Sequence, residues 1–147
     1  MWAPDVTLLD GLNKRLEWLE EVSTVLCLQG MRTVHARAEE KAADPAFREQ
    51  FDFVTSRAVA DLRMLCELCL PYVKVGGQML AMKSAQSQEE IDSAARAVSV
   101  LGGRLLSAYD YTIPGTDITH RVARIEKIAP TPAKYPRRFA QIKKNPL

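Results

Sequence analysis

Apolar and polar positions alternate along this chain in blocks whose period switches between two and three-to-four. Residues 5–9, DVTLL, form a short β-rich run that ends at Asp10. From Leu12 to Leu28 the apolar residues Leu12, Leu16, Leu19, Val22 and Leu26 recur every three or four positions. That spacing predicts an amphipathic helix with Lys14, Arg15, Glu17, Glu20 and Glu21 mostly solvated. Gly30 punctuates its end, and Met31–His35 reads as a second short strand. The polar stretch RAEEKAADPAFREQ follows, where Pro45 interrupts any long helix. Phe51 to Ser56 then reads as an apolar strand of the kind buried on both faces. Asp61 to Leu70 predicts a helix closed by Pro71, and Gly76-Gly77 a turn into the strand Gln78–Met82. Glu89 to Leu101 predicts another helix, ended by Gly102-Gly103. Arg104–Tyr111 and His120–Ile128, separated by Pro114-Gly115, are expected to pair as an antiparallel edge. Beyond Ala129, Pro130, Pro132 and Pro136 predict an extended tail.

Strands alternating with helices imply an α/β sheet with right-handed crossovers, finished by a terminal antiparallel hairpin. The only expected boundary is near residue 130, giving a domain over 1–129 and a basic, proline-containing tail over 130–147. The 147 residues suit one domain with a real core, and a hydrophobic fraction of 47% with 26% charged is ordinary for a soluble protein. The net charge of +2 decides little, but the last fourteen residues, KYPRRFAQIKKNPL, hold five Lys/Arg and no acid. No apolar run reaches the roughly 18 residues of a membrane span, and MWAPDVTLLD lacks the charge and apolar core of a signal peptide. A cytoplasmic protein that makes no membrane contact is therefore expected. Cys27, Cys66 and Cys69 read as reduced core thiols; Cys66-Glu67-Leu68-Cys69 has C-x-x-C spacing but lacks an evident second pair of zinc ligands, so no metal is expected.

Open α/β sheets bind ligands at the carboxyl ends of their strands. Asp10 ends the first visible strand, where a carboxylate accepts hydrogen bonds from a ribose or, equally, caps the following helix. Ala38 and Glu39 follow the second strand, as an adenine edge or as a solvated acidic turn. Ser56-Arg57-Ala58 follow the most hydrophobic strand, placing an arginine where it can bind a carboxylate or phosphate in bidentate fashion. Lys83 ends the next strand and points to the same crevice, unless it is a snorkelling surface lysine. His35 and His120 lie far apart and read as ordinary strand residues, so no nucleophile-and-base pair emerges. Neither Gly76-Gly77 nor Gly102-Gly103 makes a G-x-G-x-x-G phosphate loop.

VTLLDGLNKRLEWLEE, RAEE, FDFVTSRAVADL, GGQMLAMK and TPAKYPRRFAQIKKNPL together resemble, in that order, the RsmG (GidB) family. These are bacterial enzymes that use S-adenosylmethionine to methylate N7 of a guanosine in 16S rRNA. The resemblance runs from about Asp5 to Leu147 and implies a Rossmann-like class I methyltransferase sheet. It further implies that Asp10 holds the cofactor ribose, that Ala38 and Glu39 lie against the adenine, and that Arg57 contacts the cofactor near its reactive end. Lys83 matches the lysine of the family's ALKG signature, with Ser84 in place of the glycine, and Gly11 stands where DSLNKR has serine. In the family the part before LLD holds a helical region, the first strand and a GxGxGFPG-type loop, and Met1-Trp2-Ala3-Pro4 corresponds to the loop just before the second strand. The expectation is a sheet whose first strand is missing, with a gap between the Val6 and Phe53 strands through which copies can associate. The implied partner is 16S rRNA or a small-subunit precursor, tracked by Lys83, Lys134, Arg137, Arg138, Lys143 and Lys144. Guanine N7 carries a free lone pair, so positioning can supply most of the rate without a general base. Two other readings are a catalytically inactive remnant that binds RNA through its basic tail, and a nicotinamide oxidoreductase with Asp10 on the ribose. The missing glycine loop counts against the latter.

Overall fold

The computed structural model describes residues 4–57 and 60–147; Met1, Trp2, Ala3, Ala58 and Val59, including parts of two motifs named above, lie outside the described residues. Strand β1 (Val6–Asp10) leads into α1 (Asn13–Val25), β2 (Met31–His35) and the short α2 (Ala38–Lys41). Strand β3 (Phe51–Arg57) is followed by α3 (Leu62–Cys69), a 3-10 turn at Leu70–Tyr72 and the long β4 (Val73–Ser84). Helices α4 (Gln88–Ser93) and α5 (Ala95–Val100) precede β5 (Gly103–Leu105), β6 (Tyr109–Thr112), β7 (Thr119–Lys127) and α6 (Phe139–Lys144).

The described strands form two sheets. β1 and β2 pair in parallel, with Asp10 opposite His35. The second sheet runs β3-β4-β7-β5, with β6 also on β7. β3 and β4 are parallel, whereas β7 is antiparallel to β4, β5 and β6. The expected terminal hairpin is therefore present, and so is the break between the Val6 and Phe53 strands: among the described residues β1 makes no ladder with β3. The halves are joined instead by side chains. The Phe47, Phe51 and Tyr72 rings follow one another with centroids 6.2 Å apart, and the Tyr72 hydroxyl donates to the Ala38 carbonyl at 2.6 Å.

Helices α3, α4 and α5 cover only one face of the larger sheet. Met79, Ala81, Ala123 and Ile125 point into the core they form with Leu62, Cys66, Leu70, Val98 and Leu101. The opposite face is open, which corrects the reading of β3 as buried on both faces: Phe53 is 58% exposed, and Thr55 and Arg57 beside it are also exposed. The expected apolar stripe of α1 is likewise reduced, with only Leu16 fully buried and Leu12 and Leu26 in solvent. Gly76-Gly77 lie inside β4 rather than before it. They sit where its register against β3 jumps, from Phe51 opposite Val73 to Phe53 opposite Gln78, so the glycines accommodate a bulge.

The segment after Ala129 is not extended. It crosses the core and ends in α6, with Tyr135 and Ile142 buried. Lys127, fully buried, donates to the carbonyls of Leu70 and Val73 and to Thr131 Oγ1, and pairs with Glu49 at 3.1 Å. Arg48 donates to the Thr131 and Tyr135 carbonyls at 2.9 and 3.0 Å. Glu67, 0% exposed, accepts from the Arg137 backbone N–H and guanidinium at 2.7–2.8 Å. Prolines did not prevent docking because these carbonyls and carboxylates need the tail's own donors and acceptors for burial.

Candidate functional site

The parallel strands β1 and β3 end in the two charged residues of greatest interest. Asp10 closes β1, and its carboxylate bends into the following turn: Oδ1 accepts the Leu12 N–H at 2.8 Å and Oδ2 pairs with Arg15 at 2.5 Å. Burial works against ionisation here, but the Leu12 and Arg15 hydrogen bonds and the Arg15 charge outweigh it, so the carboxyl lies below its ordinary range. The capping reading of Asp10 is not realised: Leu12 occupies the cap position of α1, no side chain caps the helix, and Asp10 closes the turn ahead of it. A carboxylate offers about four lone-pair sites, so an ionised Asp10 still has acceptors for a pair of ribose hydroxyls. The chemistry of the residue fits that ligand. His35 supports the turn, its Nε2 lying 3.1 Å from the Gly11 carbonyl.

Arg57 ends β3 on the open face, exposed and with no ion pair among the described residues. It is the cation at a strand tip that remains available to a ligand. Lys83 is not. Its side chain is only 9% exposed and donates to the Ala60 carbonyl at 2.8 Å and to Glu90 at 2.6 Å. Glu90 also accepts the Leu62 N–H at 2.7 Å. Lys83 therefore fastens the segment leaving β3 to α3 and α4, which corrects its placement on an RNA-facing surface.

Ala38 and Glu39 open α2 beyond β2. The Glu39 side chain is 9% exposed and lies 3.9 Å from the Arg37 guanidinium. Arg37, Glu39 and Glu40 line a cleft of about 390 Å³ together with Pro136, Arg137, Arg138 and Phe139 of the tail. The structure thus brings Glu39 together with the basic tail, and places neither Asp10 nor Arg57 in that cleft. Of the tail cations, Lys134, Arg138, Lys143 and Lys144 are exposed, whereas Arg137 is taken up by Glu67 and is corrected from a phosphate contact to an anchor.

Sequence reasoning missed Tyr72, Arg48 and Glu49. Tyr72 holds the Ala38 carbonyl, and burial pushes its hydroxyl well above the ordinary tyrosine value. Arg48 and Glu49 sit at the end of a polar stretch whose composition matches any solvated loop; only their long-range partners distinguish them. Among the described residues no group of three His, Cys, Asp or Glu is placed to hold a metal, and no helix is long and apolar enough to cross a membrane.

Residues 2–115 match the family model described as GidB: rRNA small subunit methyltransferase G. The ribosomal RNA small subunit methyltransferase G of Alkaliphilus metalliredigens is 48% identical over 142 residues, covering 97% of this chain and 59% of the relative. That of Clostridium tetani is 47% identical over 143 residues, with 97% and 60% covered. The chain therefore spans about 60% of the length of these relatives. Among solved structures, a 16S rRNA (adenine(1408)-N(1))-methyltransferase variant from Catenulisporales acidiphilia superposes with a TM-score of 0.68 at 13% identity, covering 86% of this chain and 74% of that one. M. jannaschii TYW2 in complex with AdoMet gives 0.61 at 14% identity, over 85% and 59%. Both likenesses show the fold, a Rossmann-like class I methyltransferase sheet.

Proposed function

The chain belongs to the rRNA small subunit methyltransferase G (GidB) family, and from that premise we propose that it serves S-adenosylmethionine-dependent methylation of guanosine N7 in 16S rRNA. The observation that carries the reading is Asp10, an ionised carboxylate at the tip of a parallel strand with acceptor capacity to spare. When bound, S-adenosylmethionine supplies an electrophilic methyl group on a sulfonium. Asp10 accepts from the ribose hydroxyls, Ala38 and Glu39 line the adenine edge, and Arg57 binds near the reactive end. None of these groups has to remove a proton, because guanine N7 presents its lone pair at neutral pH. What the protein contributes is alignment, which can be worth about 7–11 kcal/mol of barrier when geometry is optimal. Lys134, Arg138, Lys143 and Lys144 attract the rRNA backbone and add salt-dependent affinity. Small-subunit rRNA in the cytoplasm is the partner this reading implies.

Calorimetric titration of the folded, monodisperse chain with S-adenosylmethionine tests the cofactor half. Saturable binding that Asp10→Ala weakens at least tenfold is expected. A folded chain that takes up no heat, or an Asp10→Ala variant with unchanged affinity, refutes the assignment. Arg57→Ala is expected to weaken binding without lowering Tm, since the side chain is exposed and unpaired among the described residues.

A further inference from the structure

The open face of the larger sheet carries an aromatic ladder that the proposed cofactor site does not use. Residues directly opposite one another on neighbouring strands project from the same face. Arg57 of β3 lies opposite Met82 of β4, Met82 opposite Val122 of β7, and Val122 opposite Tyr109 of β6. These four residues make one row across four strands, about 14 Å long at the usual strand spacing. In the next row Ser84 lies opposite His120, and His120 opposite Tyr111. The Tyr109 and Tyr111 rings are stacked, 6.5 Å between centroids and 16° apart in plane, and the His120 ring continues the ladder 5.8 Å from Tyr111. Tyr109 is 60% exposed. Both rows lie where parallel strands β3 and β4 finish, the end at which ligands bind in such sheets.

Exposed rings in a row that ends on a cation, in a chain of an rRNA methyltransferase family, suit nucleic acid. The rings alternate along β6 with Asp110 and Thr112, Ser84 stands beside His120 in the second row, and Arg57 closes the far end of the first row beyond Met82 and Val122. β6 is braced rather than loose: Arg121 grips Asp110 through two hydrogen bonds at 2.6 and 2.7 Å, and its Nη1 donates to Gln88 at 2.9 Å. The Arg121 charge is thereby neutralised, so what β6 offers outward is ring surface held in a fixed plane. Aromatic side chains on a sheet face bind unpaired bases by stacking, and every base has such a face.

We propose that Tyr109, Tyr111 and His120 form a stacking platform for unpaired bases of single-stranded RNA flanking the nucleotide held at the Arg57 end of the row. The proposal rests on the RNA-methylation reading above and adds to it the surface that grips the substrate beside the reacting base.

The test is fluorescence-anisotropy titration of the full chain with a labelled single-stranded oligoribonucleotide across a range of potassium chloride. Tyr109→Ala and Tyr111→Ala are each expected to weaken binding about tenfold. The slope of log affinity against log salt should stay unchanged, because a ring releases no counterions. Tyr109→Phe and Tyr111→Phe keep the ring and should bind like the parent. Alanine variants that bind like the parent, phenylalanine variants as weak as alanine, or a parent chain that binds no RNA would each overturn the platform. Irradiation of the parent with iodouridine-substituted RNA gives a check that needs no variant. Adducts at Tyr109 or Tyr111 support the proposal, and adducts confined to residues 134–147 overturn it. S-adenosylmethionine titration of the same preparation reports separately on the cofactor, so failure of the platform and failure of the methylation reading are distinguishable.

Discussion

Arg137 and Arg138 are neighbours with the same side chain and opposite roles. Arg137 holds the fully buried Glu67, while Arg138 is exposed at the start of α6. Removing one partner of a buried pair strands the other charge, so Arg137→Ala should cost about 3–5 kcal/mol. Arg138→Ala should cost well under about 1 kcal/mol. Urea denaturation of the two variants measures the difference, and equal losses would mean that Glu67 finds another partner. Asp61 makes a comparable point about pH. It caps α3, accepting from the Arg63 N–H at 3.0 Å and from its Nε at 2.8 Å, and the Arg63 hydrogen bond holds its carboxyl below the ordinary 3.8. The stabilisation is therefore full above that ordinary value and is lost as pH falls through the lower folded value. Asp61→Asn keeps the cap but not the charge, so between roughly pH 5 and pH 2 its stability should fall less steeply than the parent's. The thiols divide in the same residue-by-residue way. Cys27 is exposed, whereas burial pushes the Cys66 thiol far up and that of Cys69 to about 12. Ellman's reagent should find one fast thiol in the native chain and the other two only on unfolding.

At the scale of elements, most strands and helices were legible because period-two and period-three-to-four runs are local properties. β1, β2, α3 and β7 lie close to where the pattern places them. The helix read over Glu89–Leu101 is instead two short helices meeting at Ala94, and α6 was hidden among prolines. What no local pattern carries is which faces are covered. The run FDFVTS has the same letters whether helices pack on one side or both, and Lys83 has the same flanks whether it meets phosphate or Glu90. Gly102 shows a constraint that was visible as a turn but not in its severity. Its φ is +84°, and a Cβ there would stand 2.2 Å from the Ala129 carbonyl oxygen. The same glycine's carbonyl accepts the Ile128 and Ala129 N–H groups at 2.8 and 3.0 Å. Gly102→Ala should thus lower stability by more than about 1 kcal/mol and loosen the junction between α5 and the tail, read as lower Tm and faster amide exchange at Ile128 and Ala129.

For the molecule as a whole, two sheets share one body because side chains, not ladders, connect them. The proposed site draws on both: Asp10 comes from the smaller sheet and Arg57 from the larger. A ligand touching both residues would lend the pair its own binding energy, so S-adenosylmethionine should raise Tm more than it protects either sheet alone. Deleting residues 134–147 is a poor test of RNA binding, because it also removes Tyr135, Arg137 and Ile142 from the packed interior. Lys143→Gln with Lys144→Gln spares that interior and should lower the salt slope by about 2, one unit for each phosphate contact.

The docking of residues 130–147 also has a consequence in time. Translation delivers the chain from its amino end at about 5–20 residues per second. Glu67 emerges 70 positions ahead of Arg137, a delay of roughly 4–14 seconds at that speed. Lys127 likewise waits for Thr131 four positions later. During that interval the Glu67 carboxylate lacks the arginine that pairs with it in the folded chain, so burying α3 costs more than it does once residue 137 is present. A message cut short before position 137 would yield a chain with every strand of both sheets and the contacts that join them, but with Glu67 left without its arginine.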